Sequence, residues 1–123
     1  MAISKPLAKE QIEELADKIY QLFRKQEMWG DVHIYFNGNC LNNIDHDGNH
    51  HYDGSAYLHE NMEPEFEYVN PDHVLSMSFE GPVYHMFEYG AYKPVYRRFT
   101  TLLARYGLYY ELGNAWNLSC YYG

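Results

Sequence analysis

Asn37-Gly38 lies between two runs of mixed apolar and polar residues, Val32-His-Ile-Tyr-Phe36 and Asn39-Cys-Leu-Asn-Asn-Ile44. A two-residue hairpin loop needs positive φ at both central positions, which Asn and Gly tolerate better than other residues. The dipeptide therefore predicts a β-hairpin, with Val32, Ile34 and Phe36 on one face and a second strand through Cys40, Leu41 and Ile44. No other short stretch constrains the fold as strongly. The apolar face of that hairpin needs a cover, and the flanking sequence supplies helices.

Ile12, Leu15, Ile19, Leu22 and Phe23 recur at helical spacing, with Glu13, Glu14, Asp17 and Lys18 on the other faces. The pattern predicts a helix from about residue 6 to about residue 28, with Ser4 as cap ahead of Pro6 and Gly30 as the stop. After a stretch of weak pattern, His73–Phe79 reads as a strand with Leu75, Met77 and Phe79 inward and Ser76 and Ser78 outward. Gly81-Pro82 opens a short helix through Val83, Met86 and Phe87, closed by Gly90. Pro94 opens a longer one through Val95, Phe99, Leu102, Leu103 and Tyr106, closed by Gly107.

The C-terminus predicts a second hairpin, Leu108–Leu112 with Trp116–Tyr122. A three-residue loop would pair Leu112 with Trp116, Tyr110 with Leu118 and Leu108 with Cys120, leaving Tyr109 and Tyr121 outward. Phe66, Tyr68 and Val69 offer a short edge segment. Asp47-Gly48 and Asp53-Gly54 mark turns within a polar His/Asp-rich loop at about 45–65, read either as a long loop or as a small hairpin at Asp53-Gly54. Together these elements predict one α+β domain over residues 1–123. Its sheet is mainly antiparallel, of about five strands, with two main helices and one short helix on one face.

Charge is unevenly distributed. The chain carries 17 acids, 9 bases and 7 histidines, for a net charge of −8. Residues 31–90 contain eleven of the acids, all seven histidines and no Lys or Arg. Such a balance disfavours direct nucleic-acid binding, where phosphate neutralisation supplies much of the affinity, and disfavours anionic membrane surfaces. It favours a basic protein surface or a metal ion as partner. No apolar run reaches the roughly 20 residues of a membrane span, and the first residues lack a signal-peptide core. The expected compartment is the cytoplasm, with Cys40 and Cys120 as free thiols. Oligomeric state is not legible.

Two segments carry a resemblance: Asn70-Pro-Asp-His-Val-Leu-Ser-Met-Ser-Phe-Glu-Gly-Pro-Val-Tyr84 and Tyr106-Gly-Leu-Tyr-Tyr-Glu-Leu-Gly-Asn-Ala-Trp-Asn-Leu118. They resemble small uncharacterised proteins encoded on bacterial mobile elements, both conjugative elements and phages. The resemblance brings no catalytic motif and implies a bacterial cytosolic setting.

Three groupings bear on chemistry. Asn43-Ile-Asp45-His-Asp47-Gly48 has the opening of a calcium loop, but position 12 is Gly54 where a bidentate Glu is required, so an Asx-rich turn is the simpler reading. His46, Asp47, His50, His51 and Asp53, with His59 and Glu60 beside them, form a donor cluster suited to zinc. Its spacing matches no established motif, and a solvated loop accounts for the same residues. Ser76, Ser78, Glu80 and His85 lie near one strand-to-helix turn, where alternating strand serines and a helix entry explain them without catalysis.

The expected function is that of a non-enzymatic acidic binding protein engaging a basic protein partner. Its expected contact residues are Glu60, Glu63, Glu65, Glu67, Asp72, Tyr109 and Tyr121, because exposed Tyr is typical of binding surfaces. A sharper version is a DNA-mimic inhibitor of the anti-restriction or anti-CRISPR type, whose carboxylates imitate phosphate charge. The alternative is a divalent-metal-dependent or small-ligand-binding enzyme using the histidine loop and Zn.

Overall fold

Helix α1 runs over Lys9–Lys25 in the computed structural model, which describes residues 6–64 and 72–123. It is shorter than the periodicity suggests, and both ends show why. At the start, the Gln11 side chain reaches back to accept from the Ala8 N–H at 2.8 Å, closing the first turn after Pro6. At the end, Glu27 takes positive φ (57°). Its N–H donates to Arg24 O and the Met28 N–H donates to Phe23 O at 2.8 Å. That is a Schellman closure with Glu where Gly is usual. Burial of Met28 against Phe23 fixes the stop there, three residues ahead of Gly30.

Strands β1 (Val32–Phe36) and β2 (Asn39–Asn42) form the expected hairpin, Phe36 opposite Asn39, with Asn37 and Gly38 at φ of 51° and 78°. Strand β3 (Tyr57–His59) then pairs antiparallel with β2, Cys40 opposite His59. No hairpin forms at Asp53-Gly54. Instead the Tyr20 hydroxyl donates to Gly54 O and the Trp29 indole N–H donates to Ser55 O at 3.0 Å, so this stretch lies against the end of α1. The segment Phe66, Tyr68 and Val69 lies outside the described residues.

Strand β4 (Leu75–Phe79), helix α2 (Gly81–Tyr89), helix α3 (Lys93–Arg105), and strands β5 (Leu108–Asn114) and β6 (Asn117–Tyr122) complete the fold. The six strands form one antiparallel sheet in the order β3-β2-β1-β4-β6-β5. This is the expected α+β class with one strand more.

The core lies between the helices and one sheet face. Leu15, Ile19 and Phe23 of α1, Val83 and Met86 of α2, and Val95, Phe99 and Leu103 of α3 meet Ile34, Leu75, Met77, Leu118 and Cys120. Phe23 and Phe99 stack at 5.9 Å, joining the two long helices. Each such side chain contributes about 1.5–3 kcal/mol on burial.

The opposite face is polar. Cys40, Tyr35, Ser76 and Ser119 stand in one cross-strand row, and Asn42, His33, Ser78 and Asn117 in the next. The Ser76 and Ser119 hydroxyls are 2.7 Å apart. Cys40 and Cys120 therefore occupy opposite faces, separated by three strand spacings of about 4.8 Å, beyond the reach of a disulfide. Both thiols are free, and burial pushes each up to about 12.

The C-terminal hairpin differs from expectation in register. Leu112 faces Leu118, Tyr110 faces Cys120 and Leu108 faces Tyr122, a shift of two residues. The Asn114 side-chain oxygen accepts from the Trp116 N–H and from Asn117 Nδ2, both at 2.9 Å, and the ladder is irregular between Leu112 and Asn114. The turn is thus built around Asn114, and Trp116 sits exposed at its tip instead of inward. A two-residue shift preserves face, so Tyr109 and Tyr121 point outward as expected.

Candidate functional site

One end of the sheet gathers the last residues of β1, the residues just ahead of β4, the last of β6 and the first turn of α1 around an open cleft of about 340 Å³. Glu63, Asp72, His73, Tyr35 and Tyr122 supply its polar and aromatic wall; Ile12, Phe36 and Val74 supply its apolar wall. Among the described residues lining it, none is Lys or Arg.

Each wall has a local cause. Met62 N–H donates to Gly38 O at 2.8 Å and Asn61 N–H to Asn39 Oδ1 at 3.2 Å, laying the chain after β3 along the first hairpin turn. That places Glu63 beside Gly38. A Cβ at position 38 would stand 3.2 Å from Glu63 Oε1, so glycine there serves both the positive φ and the carboxylate's approach. Asn37 Nδ2 donates to Lys9 O at 2.9 Å, tying the same turn to the start of α1. The Tyr122 hydroxyl accepts from the Leu7 N–H at 2.8 Å, which holds its ring at the rim. His73 Nδ1 lies 2.8 Å from the Ser76 hydroxyl. Burial holds the His73 imidazole below its ordinary pKa, while the Glu63 charge pulls the other way.

Of the seven expected contact residues, Glu63 and Asp72 meet in this cleft. Glu60 is exposed on the turn after β3. Tyr109 and Tyr121 face each other across β5 and β6, ring centroids 6.0 Å apart, on the outward face of the far strand pair. Glu65 and Glu67 lie outside the described residues. His73, Tyr35 and Tyr122 were not anticipated as site residues. His73 follows Asp72 in sequence, whereas Tyr35 and Tyr122 reach the cleft through the pairing of strands distant in sequence.

The histidine-rich loop folds onto itself. Asp45 accepts from the N–H groups of Asp47 and Asn49 at 2.9 Å and from His51 Nε2 at 2.7 Å. The His51 bond comes first among the causes that hold its carboxyl well below the usual carboxylate range. His46 Nε2 donates to Leu58 O, His50 stacks near Tyr52, and Asp53 accepts from the Ser55 N–H. Among the described residues, no group of three or more His, Cys, Asp or Glu side chains is placed to hold a metal ion. Ser76 is fully buried and engages His73 and Ser119, while His85 lies among Tyr84 and Tyr89 on α2.

A second cleft, of about 650 Å³, opens at the other end of α1. There Arg24 and Lys25 face Asp31, Asp53 and Tyr52, whose hydroxyl donates to Asp31 Oδ1 at 2.9 Å. Its charges are mixed, whereas the described residues lining the first cleft include Glu63 and Asp72 and no Lys or Arg. No family model, no curated protein and no solved structure matches the chain. Among the described residues, no helix is long and apolar enough to cross a membrane.

Proposed function

We propose that this protein is a non-enzymatic binding module that takes a Lys or Arg side chain of a basic protein partner into the cleft of Glu63 and Asp72. The observation that carries the reading is that Glu63, Asp72, Tyr35 and Tyr122 line one cleft. Carboxylates supply bidentate acceptors for a guanidinium, and phenol rings supply faces for its stacking. The field of residues 31–90, which contain no Lys or Arg, would steer a cationic partner toward the molecule. Lys93, Arg97, Arg98 and Arg105 form no contact ion pair with a described carboxylate. Among the described residues, the carboxylate partners within 4.0 Å belong to Lys18 and His51 alone.

The test is a fluorescence-anisotropy titration with a labelled arginine-rich peptide. Glu63→Gln and Asp72→Asn should each weaken binding about tenfold, equivalent to roughly 1.4 kcal/mol. Glu111→Gln, on the far edge strand, should leave affinity unchanged. Equal loss at all three positions would reduce the cleft to one part of a diffuse acidic field and overturn the reading.

A further inference from the structure

Lys18, Leu22 and Lys25 stand at i, i+4 and i+7 on α1, and Arg98, Leu102 and Arg105 repeat that spacing on α3. Both triplets line a single groove of about 480 Å³ between the two helices. Leu22 and Leu102 are partly buried along it; the cations are exposed. Residues i and i+7 lie about 10 Å apart along a helix, so a short apolar strip is bracketed at both ends by cations. Arg97 adds a further positive charge to the lining. Lys18 is paired with Glu14 at 3.3 Å. Among the described residues, no carboxylate lies within 4.0 Å of Lys25, Arg97, Arg98 or Arg105. The described acids of the chain thus leave these cations without a carboxylate in contact on one surface. The groove shares no residue with the acidic cleft.

We infer that this groove is a docking site for an acidic amphipathic helix of a protein partner. Such a helix would lay an apolar residue on Leu22 and Leu102 and place carboxylates about two turns apart against the bracketing cations. Docked so, it would complete a third helix beside α1 and α3, with ion pairs at the rim and apolar contact at the centre. Two observations favour a peptide over a nucleic acid. Among the described lining residues none is aromatic, so bases find no stacking platform. A long polyanion would also leave the groove within about one Debye length, roughly 8–10 Å, and enter the field of a protein of net charge −8.

The probe is a labelled amphipathic peptide of about four helical turns, with Leu on one stripe and Glu flanking it at i and i+7. Controls are a peptide of equal charge with Ser in place of Leu, and a single-stranded oligonucleotide of equal charge. The amphipathic peptide should bind the full chain at least tenfold more tightly than either control. Arg98→Glu with Arg105→Glu should abolish that binding, and a peptide carrying Lys in place of its Glu residues should recover it. The recovery should persist when Glu63→Gln and Asp72→Asn are added, and an unchanged cooperative thermal transition shows that the variant is folded. Leu102→Ser should weaken binding several-fold with the charge intact. Equal binding of the Ser control, tighter binding of the oligonucleotide, or indifference to charge reversal overturns the proposal. Salt-sensitive self-association that is lost in the Arg98→Glu, Arg105→Glu variant also overturns it, by identifying a second copy of the chain as the occupant.

Discussion

Asn42 accepts at its side-chain oxygen from the Ile44 N–H at 2.9 Å and from His59 Nε2 at 3.0 Å. A backbone N–H can only donate, so the amide cannot be flipped, and its nitrogen faces His33 Nδ1 at 3.3 Å. That nitrogen of His33 must then accept, which requires the neutral ring. Burial acts in the same sense, holding the His33 imidazole below its ordinary pKa. The charges of Asp31 and Glu80 oppose the shift, and those of His50 and His59 add to it. His73 is lowered by burial as well. In both cases the unfolded chain binds a proton more readily than the folded one. Stability is therefore full above the unfolded value near 6.5 and declines as pH falls below it, until the folded ring also protonates. The urea midpoint should be lower at about pH 5.5 than at about pH 7.5, and His33→Gln with His73→Gln should flatten the difference. An acid-induced drop of the same size in the His33→Gln, His73→Gln variant would assign the effect to other groups and overturn this account.

At the scale of elements, local pattern was a good guide wherever a stripe faced the core. Leu75, Met77 and Phe79 alternate inward on β4, and Gly90 closes α2 in the left-handed conformation. The Asn37-Gly38 turn pairs β1 and β2 in the register its two-residue loop dictates. Pattern failed where a side chain, and not a backbone preference, set the geometry. The shift of the β5–β6 register is set by Asn114, and the end of α1 by Met28. Strand β3 has three residues with no buried alternation, so only its pairing to β2 defines it. The clefts were illegible for a related reason: sheet order brings Tyr35 and Tyr122 to one end, and the bonds of Asn61 and Met62 to the first hairpin turn carry Glu63 there.

The stretch at Gly54 and Ser55 belongs to the same class, since two long-range bonds to Tyr20 and Trp29 hold it where no strand forms. Removing the Tyr20 donor with Tyr20→Phe, which keeps the ring and leaves the buried Trp29 in place, should speed amide exchange across residues 50–56. The lost bond costs about 1 kcal/mol. Exchange within β1 and β4 should remain slow. Uniform acceleration over the sheet would mean that the loop and the core open as one unit.

For the whole molecule, charge opposes compactness more than it supports it. Residues 31–90 carry eleven carboxylates and no Lys or Arg, and nine of those carboxylates belong to described residues. Among the described residues, the only carboxylate–Lys ion pair within 4.0 Å is the exposed Glu14–Lys18 contact within α1. Exposed pairs of that kind are worth at most about 1 kcal/mol, so little native attraction is lost when salt screens the surface. Repulsion among like charges held within a Debye length is screened by the same ions, and that term is larger here because the acids outnumber nearby cations. Added salt should therefore stabilise the fold. Between about 0.02 and 0.2 M sodium chloride at neutral pH, Tm should rise by a few degrees, with most of the rise at the low end where the screening length changes fastest. Replacing exposed acids such as Glu60 and Glu111 by Gln should raise Tm in low salt and shrink its dependence on salt. A Tm that falls as salt is added would mean that native attractions between the helix cations and the acidic sheet outweigh the repulsion. Both the steering of a basic partner and the unmatched groove between α1 and α3 would then lose their electrostatic ground.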